Sequence, residues 1–135
     1  MKQGRTLFVA ATADEARAAA PPPLSRALVD VIAERRRHVE GEGWTPEHDD
    51  AHTRGEMVLA AVSYGTNAAV RLRMTADGYP PVKIDELSAA ADVPRSWPWA
   101  RSWWKPAGGT RRILVKAAAL LVAEIERLDR KEARP

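Results

Sequence analysis

The stretch RRILVKAAALLVAEIERLDRK, residues 111–131, decides the fold. Leu114, Ala118, Leu121, Ile125 and Leu128 recur in it at alternating spacings of four and three. That interval returns side chains to one side of a helix. A helix over 111–131 follows, with this row as a seam for packing against another helix. Ala119 and Ala123 give it a second, small-residue face suited to close approach. Glu126 is spaced to pair with Arg130 one turn on. Gly108 and Gly109 set a turn just ahead of it.

Working outward, SWPWARSWWKP at residues 96–106 is an aromatic segment whose two prolines forbid a regular helix. Residues 74–96 carry Gly78, Pro80, Pro81 and Pro94 and read as loop, with a short helix over 85–91. A helix is predicted from about residue 53 to 67–70. Thr53 and Glu56 have the form of a capping box, and Met57, Val58, Ala60, Ala61, Val62 and Tyr64 make its buried side. Another is predicted over 24–40. Leu24, Leu28, Val31, Ile32 and Val39 form its apolar row, and Arg26, Glu34, Arg36, Arg37 and Glu40 occupy its other sides. Gly41 and Gly43 end it. Residues 1–23 read as an irregular segment: a short strand over 5–11, a helical turn over 13–20, then the stop Pro21-Pro22-Pro23. The expected architecture is all-α. It is a single helical domain over 24–135, a small bundle of three main helices joined through an ordered Trp/Pro-rich connection. Three alanine-rich helices seal a core poorly, so a homo-oligomer is expected.

Composition narrows the function classes. There is no run of about 20 apolar residues, so no bilayer span is expected. Asp14, Glu15 and Arg17 interrupt the N-terminal apolar piece where a signal peptide stays apolar or small. Cysteine is absent, which excludes disulfide and thiolate chemistry and fits a cytoplasmic setting. A net charge of +3 suits an anionic partner. The bases are mixed with acids and no recognition-helix pattern is evident, so DNA or RNA is not the expected partner. Ser63, Ser96 and Ser102 lie in no nucleophile-elbow motif, and no Gly-rich phosphate loop is present.

Three constellations remain. WTPEHDDAHTRGE, residues 44–56, concentrates His48, Asp50 and His52 at alternate positions. In an extended loop these point one way. They could read the polar edge of a ligand or, in a second reading, hold a divalent metal. The aspartates also suit the positive end of the following helix. GGTRR places Arg111 and Arg112 in the first turn of the last helix, with Lys116 one turn on and Arg101 and Lys105 nearby. Free N–H groups and cations at one place suit a phosphate, although solvated charges on a basic surface give the same pattern. Trp97, Trp99, Trp103 and Trp104 fall within eight residues, and Trp44 adds a fifth. Aromatic plates beside cations stack a base, while at least two of these rings serve to fasten the segment to the bundle.

With these pieces in place, the order of features resembles the small MazG-like proteins, all-α nucleotide pyrophosphohydrolases common in phages and prophages. AERRRH at residues 33–38, followed by Trp44, is similar to an early element of that group. VKAAALLVAEIERLDR is similar to its closing helix, which often ends as Ile125, Glu126, Asp129 and Arg130 do here. The likeness covers residues 31–64 and 111–130. The EGWT piece, residues 42–45, weakly resembles ryanodine-receptor repeat domains. The MazG-like resemblance implies carboxylates on two helices holding magnesium. Where the first set belongs this chain reads LAAVSYG, residues 59–65, and where the second belongs it reads RILVKAA, residues 112–118; neither contains an acid.

A nucleotide cleft without its metal carboxylates implies binding without cleavage. The expectation is a non-catalytic nucleotide-binding protein, a phage sponge that sequesters a cyclic or ADP-ribose-type immune signal in the cytoplasm of an infected or lysogenic bacterial host. No cofactor is needed. Arg111, Arg112 and Lys116, with Lys105, would hold phosphate. Trp44 and one of Trp99, Trp103 and Trp104 would stack a base. Thr45, His48, Asp50 and His52 would read polar edges or ribose hydroxyls, and Tyr64 would supply a hydroxyl. The rivals are a divergent hydrolase using Mg or Mn at the HDDAH loop, and a protein-binding inhibitor of a host factor.

Overall fold

The computed structural model describes residues 12–14 and 23–134. The strand expected over 5–11 lies outside them, as does most of the helical turn over 13–20. Five α-helices span the chain from Arg26 onward: α1 (Arg26–Glu40), α2 (Pro46–Asp50), α3 (Glu56–Ala76), α4 (Pro81–Ala90) and α5 (Thr110–Ala133), with a 3-10 turn at Arg101–Trp103. No strand occurs among the described residues. No described helix is long and apolar enough to cross a membrane.

Local chemistry sets the boundaries. The Ser25 hydroxyl accepts from the Leu28 N–H and starts α1 two residues later than its apolar row suggested. Thr45 caps α2 in the same way, accepting from the His48 N–H, and Pro46 fills the first position. The expected capping box of α3 does not form. Gly55, at φ 81°, is the residue that enters the helix. The Glu56 carboxylate reaches back to the Arg54 N–H at 2.6 Å, and Thr53 makes no cap. α3 also runs to Ala76, past the predicted end. α4 begins at Pro81, whose missing N–H costs nothing in the first turn, and so starts earlier than expected.

The core is α3 lying on α5, with α1 on the flank of α5. Ala60, Ala61, Tyr64 and Ala68 pack against Ile113, Ala117 and Leu120. Alanine against alanine allows the two axes to come close, and Ala119 and Ala123 of α5 are buried as well. The expected seam is therefore reversed. Leu114, Leu121, Ile125 and Leu128 lie on the outside of α5, 44–57% exposed. On α1 the apolar row is likewise outside, with Leu24, Leu28 and Ile32 about half exposed, while Glu34 and His38 are buried. Val58 and Val62 of α3 also face outward. Glu126 and Arg130 do not pair with each other. Glu126 accepts from Arg35, and Arg130 donates to Asp50. Arg71, buried in the lower bundle, ties α3 to Thr110 and to Asp85 of α4.

Candidate functional site

A cavity of about 260 Å³ opens where α1, α2, α3, α5 and the 3-10 turn meet. Rings make its walls. Trp44 lies parallel to His48 at 6.0 Å and stands 6.2 Å from both Trp99 and Trp103. His52 sits edge-on to His48 at 4.9 Å and 5.4 Å from Trp99. Met57 and Leu120 line its apolar side.

Two polar groups in this wall are unsatisfied. Asp49 is 2% exposed and lines the cavity. Its Oδ1 meets the His48 ring at 3.3 Å, but its Oδ2 has no hydrogen-bond partner among the described residues. Arg35 approaches that oxygen only to 3.5 Å, because its Nε and terminal nitrogen are both committed to Glu126 at 3.0 and 2.8 Å. That approach is electrostatic attraction rather than a hydrogen bond. The buried Trp99 Nε1–H also lacks an acceptor. A buried donor and a buried acceptor left open cost about 1–3 kcal/mol each, and here both belong to residues that line one cavity.

Beside it lies a smaller space of about 50 Å³ that shares Trp44, Trp99 and Trp103 and is charged. Glu34 forms its floor. Arg37 donates to this carboxylate twice, at 2.9 and 2.8 Å; Arg112 lies at 2.7 Å and His38 Nε2 at 3.2 Å. Burial alone would raise the Glu34 pKa, but hydrogen bonds from His38, Arg37 and Arg112 outweigh it and hold the carboxyl far below the usual range. Arg35 points a guanidinium N–H at His38 Nδ1, so Nδ1 accepts and Nε2 carries the proton toward Glu34. Lys116 donates to the Lys105 carbonyl at 2.7 Å and lies 5.6 Å from the Tyr64 ring. Burial, then the nearby Arg112, lowers its pKa. Burial raises that of Tyr64, whose hydroxyl accepts a long 3.4 Å contact from the Lys105 N–H.

The structure thus brings Trp44, His48, His52, Trp99 and Trp103 together around the first space, and Tyr64, Lys105 and Lys116 around the second. Other expected residues go elsewhere. Because 46–50 is helical rather than extended, Asp50 points away from His48 and His52. It binds Arg130 at 2.9 Å and Arg134 at 2.6 Å, and those contacts hold it below the ordinary aspartate range. The three residues of the metal reading do not converge. Among the described residues no three His, Asp or Glu side chains are grouped to share a metal ion. Thr45 is a helix cap. Trp104 stacks on Tyr64 at 4.8 Å and, with Trp97, fastens the aromatic segment to the core. Arg111 and Arg112 are bound to Asp30 and Glu34 rather than held open at the start of α5.

Arg35, Arg37 and His38 were not anticipated as site residues, and Glu34 and Asp49 entered only as acids of an alternative hydrolytic site, Asp49 through the HDDAH loop. One signal was available. Thr45-Pro46 is a cap followed by a first-turn proline, and reading it as a helix start turns Asp49 inward and Asp50 outward. No family model, curated protein or solved structure matches the chain.

Proposed function

We propose that the protein binds a nucleotide and leaves it intact. The base enters the ring-lined cavity, a base N–H is accepted by Asp49 Oδ2, and a base acceptor takes the Trp99 Nε1–H. The phosphates extend toward the second space, where Lys105 and Lys116 stand; Arg37, also on its wall, is committed to Glu34 and Glu42. One observation carries this reading: Asp49 and Trp99, each with a buried polar atom that lacks a hydrogen-bond partner, line a cavity walled by three tryptophans. Stacking of a base on an aromatic plate is worth about 1–3 kcal/mol, and a flat heterocycle presents donors and acceptors together on its edge. The phosphate role moves from Arg111 and Arg112, which are ion-paired, to Lys105 and Lys116.

Binding without hydrolysis fits the missing carboxylates of the MazG-like resemblance and supports a sequestering role. In this reading the ligand is a cyclic or ADP-ribose-type signal, and the setting is the cytoplasm of a phage-infected or lysogenic bacterium. The protein acts there as a homo-oligomer.

The test is calorimetric titration of linear, cyclic and ADP-ribose-type nucleotides, with and without magnesium or manganese, followed by heat release and chromatography of the ligand. A ligand that binds and is recovered intact is expected. Trp99→Ala and Asp49→Ala should each weaken it by roughly 5- to 150-fold, the equivalent of about 1–3 kcal/mol. Arg111→Ala should leave affinity unchanged. Metal-dependent products would establish a hydrolase instead, and no binding by any nucleotide would overturn the reading.

A further inference from the structure

Lys116 stands apart from the other lysines. Among the described residues Lys83, Lys105 and Lys131 are exposed, and Lys116 alone is half-buried. It lines the charged space of about 50 Å³ together with Tyr64, Trp97, Trp103 and Leu120. Its ammonium forms no ion pair with a carboxylate among the described residues. Its hydrogen bond goes to a neutral acceptor, the Lys105 carbonyl at 2.7 Å. Glu34, on the same wall, is already taken by Arg37, Arg112 and His38.

A cation drawn out of water without a counter-charge is disfavoured against its neutral form. Arg112, one turn earlier on α5, acts in the same direction. The Tyr64 ring, 5.6 Å from Nζ, offers the cation only a weak attraction in return. Burial first and Arg112 second therefore lower the Lys116 pKa from its ordinary value. A desolvated amine beside another cation is the setting in which lysine becomes a nucleophile toward carbonyl carbon.

We propose that Lys116 is a reactive amine that captures a phosphorylated aldehyde as a reversible imine. The neutral Nζ adds its lone pair to the aldehyde carbon. The carbonyl oxygen then leaves as water with both Nζ hydrogens, and a C=N bond replaces the C=O bond. No oxidant or reductant is consumed, and water reverses the step and returns the ligand intact. Lys105, on the same wall and without a carboxylate partner among the described residues, favours an aldehyde that carries phosphate. Such an aldehyde is borne on a flat ring or is the open form of a reducing sugar, as in an ADP-ribose-type nucleotide. The proposal concerns the amine and this space, and it stands or falls apart from the nucleotide reading, which calorimetry decides.

The test uses the full chain. It is incubated near neutral pH with pyridoxal 5′-phosphate or with ADP-ribose, reduced with borohydride, and digested for peptide mass analysis. With at least one of the two, more adduct is expected at Lys116 than at Lys83, Lys105 and Lys131 together. Which aldehyde labels it separates the ring-borne source from the sugar. Without borohydride the label should be lost on dialysis, and in urea the preference for Lys116 should vanish. Lys116→Arg, which keeps the charge, should remove that adduct and leave the labelling of the other lysines unchanged. Labelling of Lys116 no greater than that of the exposed lysines by either aldehyde would overturn the proposal. So would an adduct that survives dialysis without reductant, or a preference that persists in urea, since neither belongs to an imine formed in this folded space.

Discussion

Replacing Glu34 by glutamine tests whether a buried carboxylate organises the charged side of the site. The side chain is 2% exposed and accepts from Arg37, Arg112 and His38. Removing one partner of a buried ion pair costs about 3–5 kcal/mol. Here Arg37 and Arg112 remain about 40% exposed and can turn back to water, while His38 cannot. The estimate for Glu34→Gln is therefore about 2–3 kcal/mol. In a chain of this size that lowers Tm by roughly 6–15 °C. The pH dependence gives a second reading of the same group. Its folded pKa is depressed, so its contribution is complete above the ordinary carboxylate pKa of 4.5 and is lost as pH falls toward the folded value. Wild type should lose about 1.4 kcal/mol per pH unit from this group below that point, and the variant should not. Thermal melts followed at 222 nm should show a wide gap at neutral pH that narrows on acidification below 4.5. A gap under about 0.5 kcal/mol at neutral pH, or one constant down to strong acid, would refute the reasoning, because surface substitutions typically fall in that range.

Gly65 lies within α3 and a Cβ added there meets nothing within 4 Å, so Gly65→Ala should stabilise by about 0.5–1 kcal/mol in chemical denaturation. Ala60 is fully buried where α3 meets α5; Ala60→Leu should destabilise by about 1–3 kcal/mol, and a neutral result would mean that the helices are not closely packed there. Gly108, at φ 100°, would bring an added Cβ to 2.8 Å from Arg112 Cγ. Gly108→Ala should therefore lower Tm and, by displacing Arg112, weaken the acid sensitivity attributed to Glu34.

The helices were legible in the sequence because α1, α3 and α5 are long and periodic. What they face was not. Periodicity marks an apolar row but says nothing about which neighbour covers it. On α5 the large aliphatic row looks like the core side. The actual core side is Ala117, Ala119 and Ala123 with Ile113 and Leu120, because Ala60, Ala61 and Ala68 bring α3 too close for a row of leucines. On α1, Glu34 was placed among the polar positions by residue type, and it and His38 are buried. Glu34 turns inward because Arg37 and, more than seventy residues away in sequence, Arg112 supply the charge that makes burial tolerable. The Arg112 contact cannot be read from local spacing. The tryptophans and lysines of the site were recognisable as types, whereas Asp49 depended on a single choice between loop and helix over residues 46–50.

These reversals share one physical cause. A helix of mixed character must spend one face on its own chain, and that choice follows shape and charge before it follows hydropathy. Here the inward face of α1 carries a carboxylate and an imidazole, and the inward face of α5 carries alanines. The small residues of α5 and α3 fix the axes close together. The charged face of α1 is then held at the edge of that contact, where Trp44, Trp99 and Trp103 cannot close over it completely. A bundle designed for stability alone would fill that space with leucine, which the chain has in supply on its outside. Keeping buried charge and open donors inside, with aliphatic rows outside, lowers the stability of an isolated chain. It leaves a polar, ring-lined space inside the chain, and the proposed ligand reading rests on that space.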